Sequence, residues 1–190
     1  MSTPIIRDMR AADVVDALAM FAEVVAEDRW LGAQPGFDRD QRHRGWLDGL
    51  ADPMRRSLVV VDPHTGRVVG NGSTYLARYG VAELAMTLAA EVRGRGWGGH
   101  LLDTLLAASV DLGAHKADLQ VWPHNEAAIA LYLSRGFVVE GRLRQHYRRA
   151  SGELWDSIVM GRPLRTATAP RGSSHPDAPC LPDAVPISAG

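Results

Sequence analysis

Leu88-Ala-Ala-Glu-Val-Arg-Gly-Arg-Gly-Trp-Gly-Gly-His-Leu-Leu102 is the stretch that decides how this chain folds. A strand over 81–89 runs into it. Leu101, Leu102, Leu105, Leu106, Val110 and Leu112 then recur at helical spacing. Gly113 stops that helix as a C-cap glycine does. The first amides of a helix have no intrahelical acceptor and point outward. With the helix dipole they form an anion site, and absent side chains let a diphosphate approach the backbone. A simple strand-to-helix turn also needs glycine, but four in six positions (Gly94, Gly96, Gly98, Gly99) exceed that need.

Two motifs fit the same letters. Gly94-x-Gly96-x-x-Gly99 matches a dinucleotide fingerprint, and Arg93-x-x-Gly96-x-Gly98 matches an acyl-CoA pyrophosphate loop. Context separates them. A dinucleotide fold places its glycines after the first strand and an acid at the end of the next one. Here four strands precede the loop, and the only acid of the following strand, Asp118, lies at the wrong end. No Gly-Lys-Ser/Thr follows, so a nucleoside-triphosphate loop is also unsupported.

Working outward, 4–9 reads as a strand, and 11–26 as a helix with Val14, Val15, Leu18, Phe21, Ala22 and Val25 on one side. The loop 32–37 carries Gly and Pro, and a second helix covers 38–50 with Asp38 as cap. Strands 57–61 and 67–75 flank the turn Asp62-Pro-His-Thr-Gly66. Beyond the glycines come a strand at 117–122, a helix at 125–135 with an Asn cap, and strands at 137–148 and 153–160. The order β-α-α-β-β-β-α-β-α-β-β predicts an α/β fold with a mixed sheet of six to seven strands and helices on both faces. Its central β-α-β unit is parallel and right-handed. Residues 1–165 form one domain. Residues 166–190 hold five of the eleven prolines without periodicity and read as a disordered tail.

Composition narrows the function. Net charge is −1, without the basic surplus of a general nucleic-acid binder. Lys116 is the one lysine among 21 basic residues, which reflects genome composition. No run of 18 apolar residues exists, so no membrane span is expected. With no secretory pattern at the start, the expected address is cytoplasmic. Cys180 is the only cysteine, and the seven histidines show no metal-ligand spacing, so no metal is expected.

Val92–Leu102, Leu119-Gln-Val121, and Asn125-Glu-Ala-Ala-Ile-Ala-Leu-Tyr-Leu-Ser-Arg-Gly-Phe137 together resemble the GNAT superfamily of N-acetyltransferases. Asp156-Ser-Ile-Val-Met160 is similar to that family's closing Asp-x-x-x-Met strand. Within it, the chain is most similar to amino-acid, small-amine and ribosomal-protein acetyltransferases. The resemblance implies acetyl-CoA as co-substrate, lying where two parallel strands splay apart. It implies that backbone at Leu88 and Ala89 meets the pantetheine arm. The amides of Arg93, Gly94, Arg95, Gly96, Trp97, Gly98 and Gly99 would hold the diphosphate, with charge from Arg93 and Arg95. Asn125 and Tyr132, seven apart, share one helix face with small Ala128 between them; by resemblance Asn125 and Ala128 touch the cofactor and Tyr132 protonates the departing thiolate.

The reaction so implied is direct attack by a neutral primary amine. A lysine-like amine with pKa ~10.4 is neutral about four times in 10,000 at pH 7, a penalty of roughly 4.6 kcal/mol; an α-amine near 7.8 costs only about 1.2 kcal/mol. A strong base therefore matters for the first acceptor and hardly for the second. Glu83, on the strand entering the loop, is the candidate base, and an ordinary edge charge is its bland alternative. Glu27, Trp30 and Trp155 are candidate acceptor-site residues, with Asp28, Tyr147 and Asp156 nearby. The acceptor is a small amine or a peptide N-terminus, and a homodimer is common in such families. Two other classes stay open: a CoA-binding sensor or scaffold without transfer, and a dinucleotide enzyme.

Overall fold

A computed structural model describes residues 3–164. The tail expected over 166–190 lies outside them. The order read from the sequence holds: β1 (Ile5–Asp8), α1 (Val14–Ala26), α2 (Arg39–Ala51), β2 (Arg55–Val61), β3 (Val68–Leu76), β4 (Val81–Leu88), α3 (Trp97–Asp111), β5 (Lys116–Val121), α4 (Glu126–Ser134), β6 (Val138–Arg148) and β7 (Leu154–Pro163). Differences are confined to ends. Residues 11–13 form a 3-10 turn before α1, stapled by Asp13, which accepts from the Arg10 amide at 2.7 Å and pairs with Arg7. Strand β7 runs three residues past Met160, because Leu119, Asp118, Ala117 and Lys116 of β5 keep supplying partners as far as Pro163.

The caps act as the sequence indicates. Asp38 accepts from the Gln41 amide at 2.8 Å, and Asn125 from the Ala128 amide at 3.2 Å. Gly113 adopts φ +88° after α3.

The seven strands form one mixed sheet in the order β1-β2-β3-β4-β5-β7-β6, and only β4 and β5 are parallel. The pleat sorts side chains onto two faces. Leu58 and Val60 join the main core with Leu101, Leu102 and Leu105 of α3. Val59 and Val61 join a second cluster with Val14 and Ala17 of α1, flanked by Trp46 and Leu47 of α2. Helix α3 presses against β3 at Gly72, where an added Cβ would lie 2.9 Å from Leu105.

One detail positions everything that follows. Strands β4 and β5 pair only at Val81–Lys116, Ala82–Ala117 and Glu83–Asp118. Beyond that rung β4 stays with β3 as far as Leu88, while β5 stays with β7. The sheet therefore forks.

Candidate active site

The fork holds a cleft of 220 Å³ lined in part by Leu84 and Met86 of β4, Gln120 of β5, Asn125, and Tyr132 of α4. The Ala89 amide donates to Val69 at 2.9 Å. Backbone groups alternate sides along a strand, so the amides and carbonyls of Leu84, Met86 and Leu88 turn toward the gap. The Leu88 carbonyl is already taken, by the Arg93 Nε–H at 3.0 Å.

At the top of the fork the four glycines divide into two pairs. Gly94 and Gly96 have φ of +72° and +82°, with open space where a Cβ would stand. Gly98 and Gly99 serve close approach: a Cβ on Gly98 would lie 3.2 Å from Leu131 Cδ2, and one on Gly99 would collide with the Arg135 guanidinium. Among the described residues the amides of Gly94, Arg95, Gly96 and Gly98 reach no backbone carbonyl, and residues 94–96 are exposed. This is the anion-binding arrangement of a helix N-terminus. The Trp97 side chain instead goes into the main core.

Tyr132 is buried, its ring centroid 5.8 Å from that of Phe137. Burial pushes its hydroxyl up to about 12. The hydroxyl is therefore a proton carrier at any ordinary pH. Ala128 is half-buried between Asn125 and Tyr132, as expected for one helix face.

Glu83 sits on the last paired rung, exposed, on the sheet face away from α3. It borders the fork without lining its cleft. Its rung partner is Asp118, at the start of β5. Burial first, and the Glu83 charge next, push the Asp118 carboxyl up, with Lys116 opposing them.

Glu27 and Arg93, assigned from sequence to acceptor and cofactor, meet each other. Arg93 donates to both Glu27 oxygens at 2.7 and 2.8 Å, and Trp30 Nε1 donates at 2.5 Å. The Arg93 bond, with help from Trp30, holds the Glu27 carboxyl below its ordinary range despite desolvation. Trp30 also lines the fork. Trp155 stands outside it, stacked by Arg149 at 4.2 Å and edge-on to Trp122 and His124. Arg149, 5% exposed, pairs with Asp28 and donates to the Leu31 carbonyl. Segment 27–31 is thereby clamped to the β6–β7 hairpin. Asp156 is occupied by Arg142 and by the Gln145 amide, each at 2.7 Å.

Two features had no sequence signal. Gln120 Oε1 accepts from the hydroxyls of Tyr147 and Ser157 at 3.2 and 3.0 Å, which fixes its amide on the fork wall. A second cleft, of 560 Å³, lies between the sheet and α1–α2 and shares Ala85 and Met86 with the first. Its polar lining comes from α2 and its cap, β2, β3 and β4, elements far apart in the chain.

The model of the acetyltransferase (GNAT) family matches residues 20–137, from within α1 to the residue before β6. The chain belongs to the GNAT acetyltransferase family. This GNAT protein is an acetyltransferase, with acetyl-CoA as acetyl donor. It is 27% identical over 145 residues to an L-methionine sulfoximine/L-methionine sulfone acetyltransferase of Pseudomonas paraeruginosa, covering 74% of this chain and 83% of that one. A ribosomal-protein-alanine N-acetyltransferase from Brucella melitensis superposes with TM-score 0.75 at 28% identity, covering 84% and 99%. A phosphinothricin acetyltransferase from Sinorhizobium meliloti, solved with acetyl-CoA, shares the fold at TM-score 0.77 and 24% identity, covering 93% and 97%.

Proposed function

We propose that this protein transfers the acetyl group of acetyl-CoA to a primary amine by direct attack within a ternary complex. One observation carries the reading: the β4–β5 fork opens beside a buried tyrosine and beneath a row of uncommitted amides. Acetyl-CoA, when bound, supplies an acyl group activated as a thioester. The residues present suit it. The gap-facing backbone of β4 offers strand-like hydrogen bonds to an amide-bearing arm at Leu84, Met86 and the Leu88 amide; Ala89, expected to join them, has its amide on Val69 and its carbonyl on the Val92 amide. The amides of Gly94, Arg95, Gly96 and Gly98 suit a diphosphate, with Arg95 adding charge, whereas those of Arg93 and Gly99 donate to the Ala90 and Gly96 carbonyls. Arg93 acts by holding the Leu88 carbonyl and Glu27. Asn125 starts α4, and Ala128 leaves room beside it.

Tyr132 donates a hydrogen bond where negative charge builds on a leaving sulfur. Complete transfer from an oxygen near 12 to a thiolate near 8.5 runs uphill by about 3.5 pKa units, roughly 5 kcal/mol. The tyrosine therefore stabilises the charge, and the proton that completes the thiol comes from the ammonium formed on attack. Glu83, one rung from the cleft, takes up through water the separate proton that a protonated acceptor amine must lose before it attacks. Trp30 closes the fork, while Glu27 and Trp155 hold the walls in place.

The similarity to the Pseudomonas enzyme supports a small amine as acceptor, and that to the Brucella enzyme keeps a peptide N-terminus in play. Among the described residues no helix is long and apolar enough to cross a membrane; a cytoplasmic address fits a co-substrate drawn from metabolism. The test is a thiol-release screen over free amines and peptides. Amine-dependent release supports transfer. Saturable acetyl-CoA binding without release across the panel would favour a sensor.

A further inference from the structure

The α1–α2 cleft has a chemistry of its own. Phe21, Phe37 and Trp46 form apolar walls, with ring contacts of 5.7 and 5.5 Å to Phe21. Arg42 of α2 and Arg55 of β2 line it as well. Neither guanidinium meets a carboxylate among the described residues. Arg42 stacks over Phe21 at 5.3 Å and Arg55 over Tyr75 at 5.0 Å. The acid in the lining, Asp38, is engaged in capping α2. Two uncompensated cations thus face one committed carboxylate, and guanidinium groups are built to receive planar anions.

Asn71 adds an independent sign. It stands on β3 opposite Thr87, next to the seam of Ala85 and Met86, which line both clefts. Its Oδ1 is buried without a hydrogen-bond donor, the one such side-chain atom among the described residues. A buried acceptor left unpaired is costly, and a ligand N–H at the seam relieves that cost.

We infer that Arg42 and Arg55 read an anionic group on the acceptor, a carboxylate in the simplest case, while Asn71 accepts from its N–H near the seam. The inference rests on the transfer reading of the fork. It makes the acceptor class anionic or zwitterionic amines, and it disfavours polyamines, whose charges meet two fixed cations. A volume of 560 Å³ lies in the usual range of ligand clefts, with room for a side chain beyond the carboxylate.

The experiment compares kcat/KM for L-methionine and L-leucine with their carboxamides and with spermidine, in wild type, Arg42→Gln, Arg55→Gln and Arg42→Lys. Comparing the ratio of acid to amide across variants cancels the difference in amine pKa between the two substrates. Loss of a charge-assisted bond predicts that this ratio falls about tenfold in each Gln variant, through KM. Arg42→Lys recovers part of it. A ratio unchanged in both Gln variants would overturn the assignment. A second readout needs no turnover. The Nε–H resonances of Arg42 and Arg55 should shift with N-acetyl-L-methionine and stay in place with its amide. Equal responses to the two, or none, would also overturn it. Shifts with the acid alone but no transfer to any amine would refute the transfer reading and still support the anion site.

Discussion

Replacing Tyr132 by Phe removes one oxygen from a buried ring, and the surroundings make its two consequences unequal. In the folded protein the hydroxyl has no hydrogen-bond partner among the described residues, and burial alone raises its pKa to about 12. The oxygen belongs to a residue that lines the fork cleft and is not a sealed, unpaired atom of the core, so removing it breaks no protein hydrogen bond and relieves no buried penalty. Stability should hold. In the proposed reaction the same hydroxyl faces a developing thiolate, and a hydrogen bond to a charged group is worth about 1.5–3 kcal/mol. At about 1.4 kcal/mol per tenfold, kcat should fall roughly 10- to 150-fold. Acetyl-CoA affinity should change little, because the neutral thioester sulfur gains little from the donor. The assay pairs a thermal melt with steady-state thiol release and calorimetry. A Tm lowered by several degrees with kcat retained would refute the reasoning, since Tyr132 would then be a packing residue.

Further outcomes follow from named geometry. Gly96→Val forces a β-branched residue to φ +82°, costing at least about 1–2 kcal/mol, and projects its side chain over the open amides. Stability and acetyl-CoA affinity should both fall. Gly113→Ala, at φ +88° far from the loop, should lower the melting temperature alone. Equal affinity losses in the two would show that strain explains the first. Glu27→Gln frees Arg93 and loosens segment 27–31. The half-exposed pair contributes under about 1 kcal/mol to stability, so the expected effect is a raised KM with a nearly constant melt. Tyr132 also marks alkaline unfolding. Its folded pKa lies above the unfolded value of about 10, so its stabilising effect is complete below pH 10 and is lost as pH rises toward 12. Two pKa units amount to about 2.7 kcal/mol. Wild type should unfold more steeply than Tyr132→Phe across that interval in a pH-jump denaturation series, and equal slopes would contradict the burial.

The fold was legible wherever a local rule operates. Asp38 and Asn125 cap their helices, Gly113 ends α3, and the alternating strands announce a sheet. The glycine loop was legible as a strand-to-helix turn because four glycines cluster between β4 and α3, two of them at positive φ. The fork was not, since nothing in Leu84–Leu88 says that pairing with β5 stops at Glu83. Side-chain partners were hidden for a similar reason. Arg93 and Glu27 are 66 positions apart, and Arg149 and Asp28 are 121 apart. Both pairs depend on the α1–α2 loop folding over the sheet. The α1–α2 cleft gathers Arg42, Arg55 and Asn71 from three elements, and no motif spacing records such a meeting. Sequence reasoning placed the acceptor near Glu27, Trp30 and Trp155. None of the three lines the α1–α2 cleft, which exists only in three dimensions.

The most direct measurement is a backbone amide titration of the ¹⁵N-labelled protein with coenzyme A and, separately, with pantetheine. Coenzyme A should move the amide resonances of Gly94, Arg95, Gly96 and Gly98 together with those of Leu84, Met86 and Leu88. Pantetheine should move only the β4 set. Shifts clustered anywhere else, or a glycine loop indifferent to the diphosphate, would contradict the account.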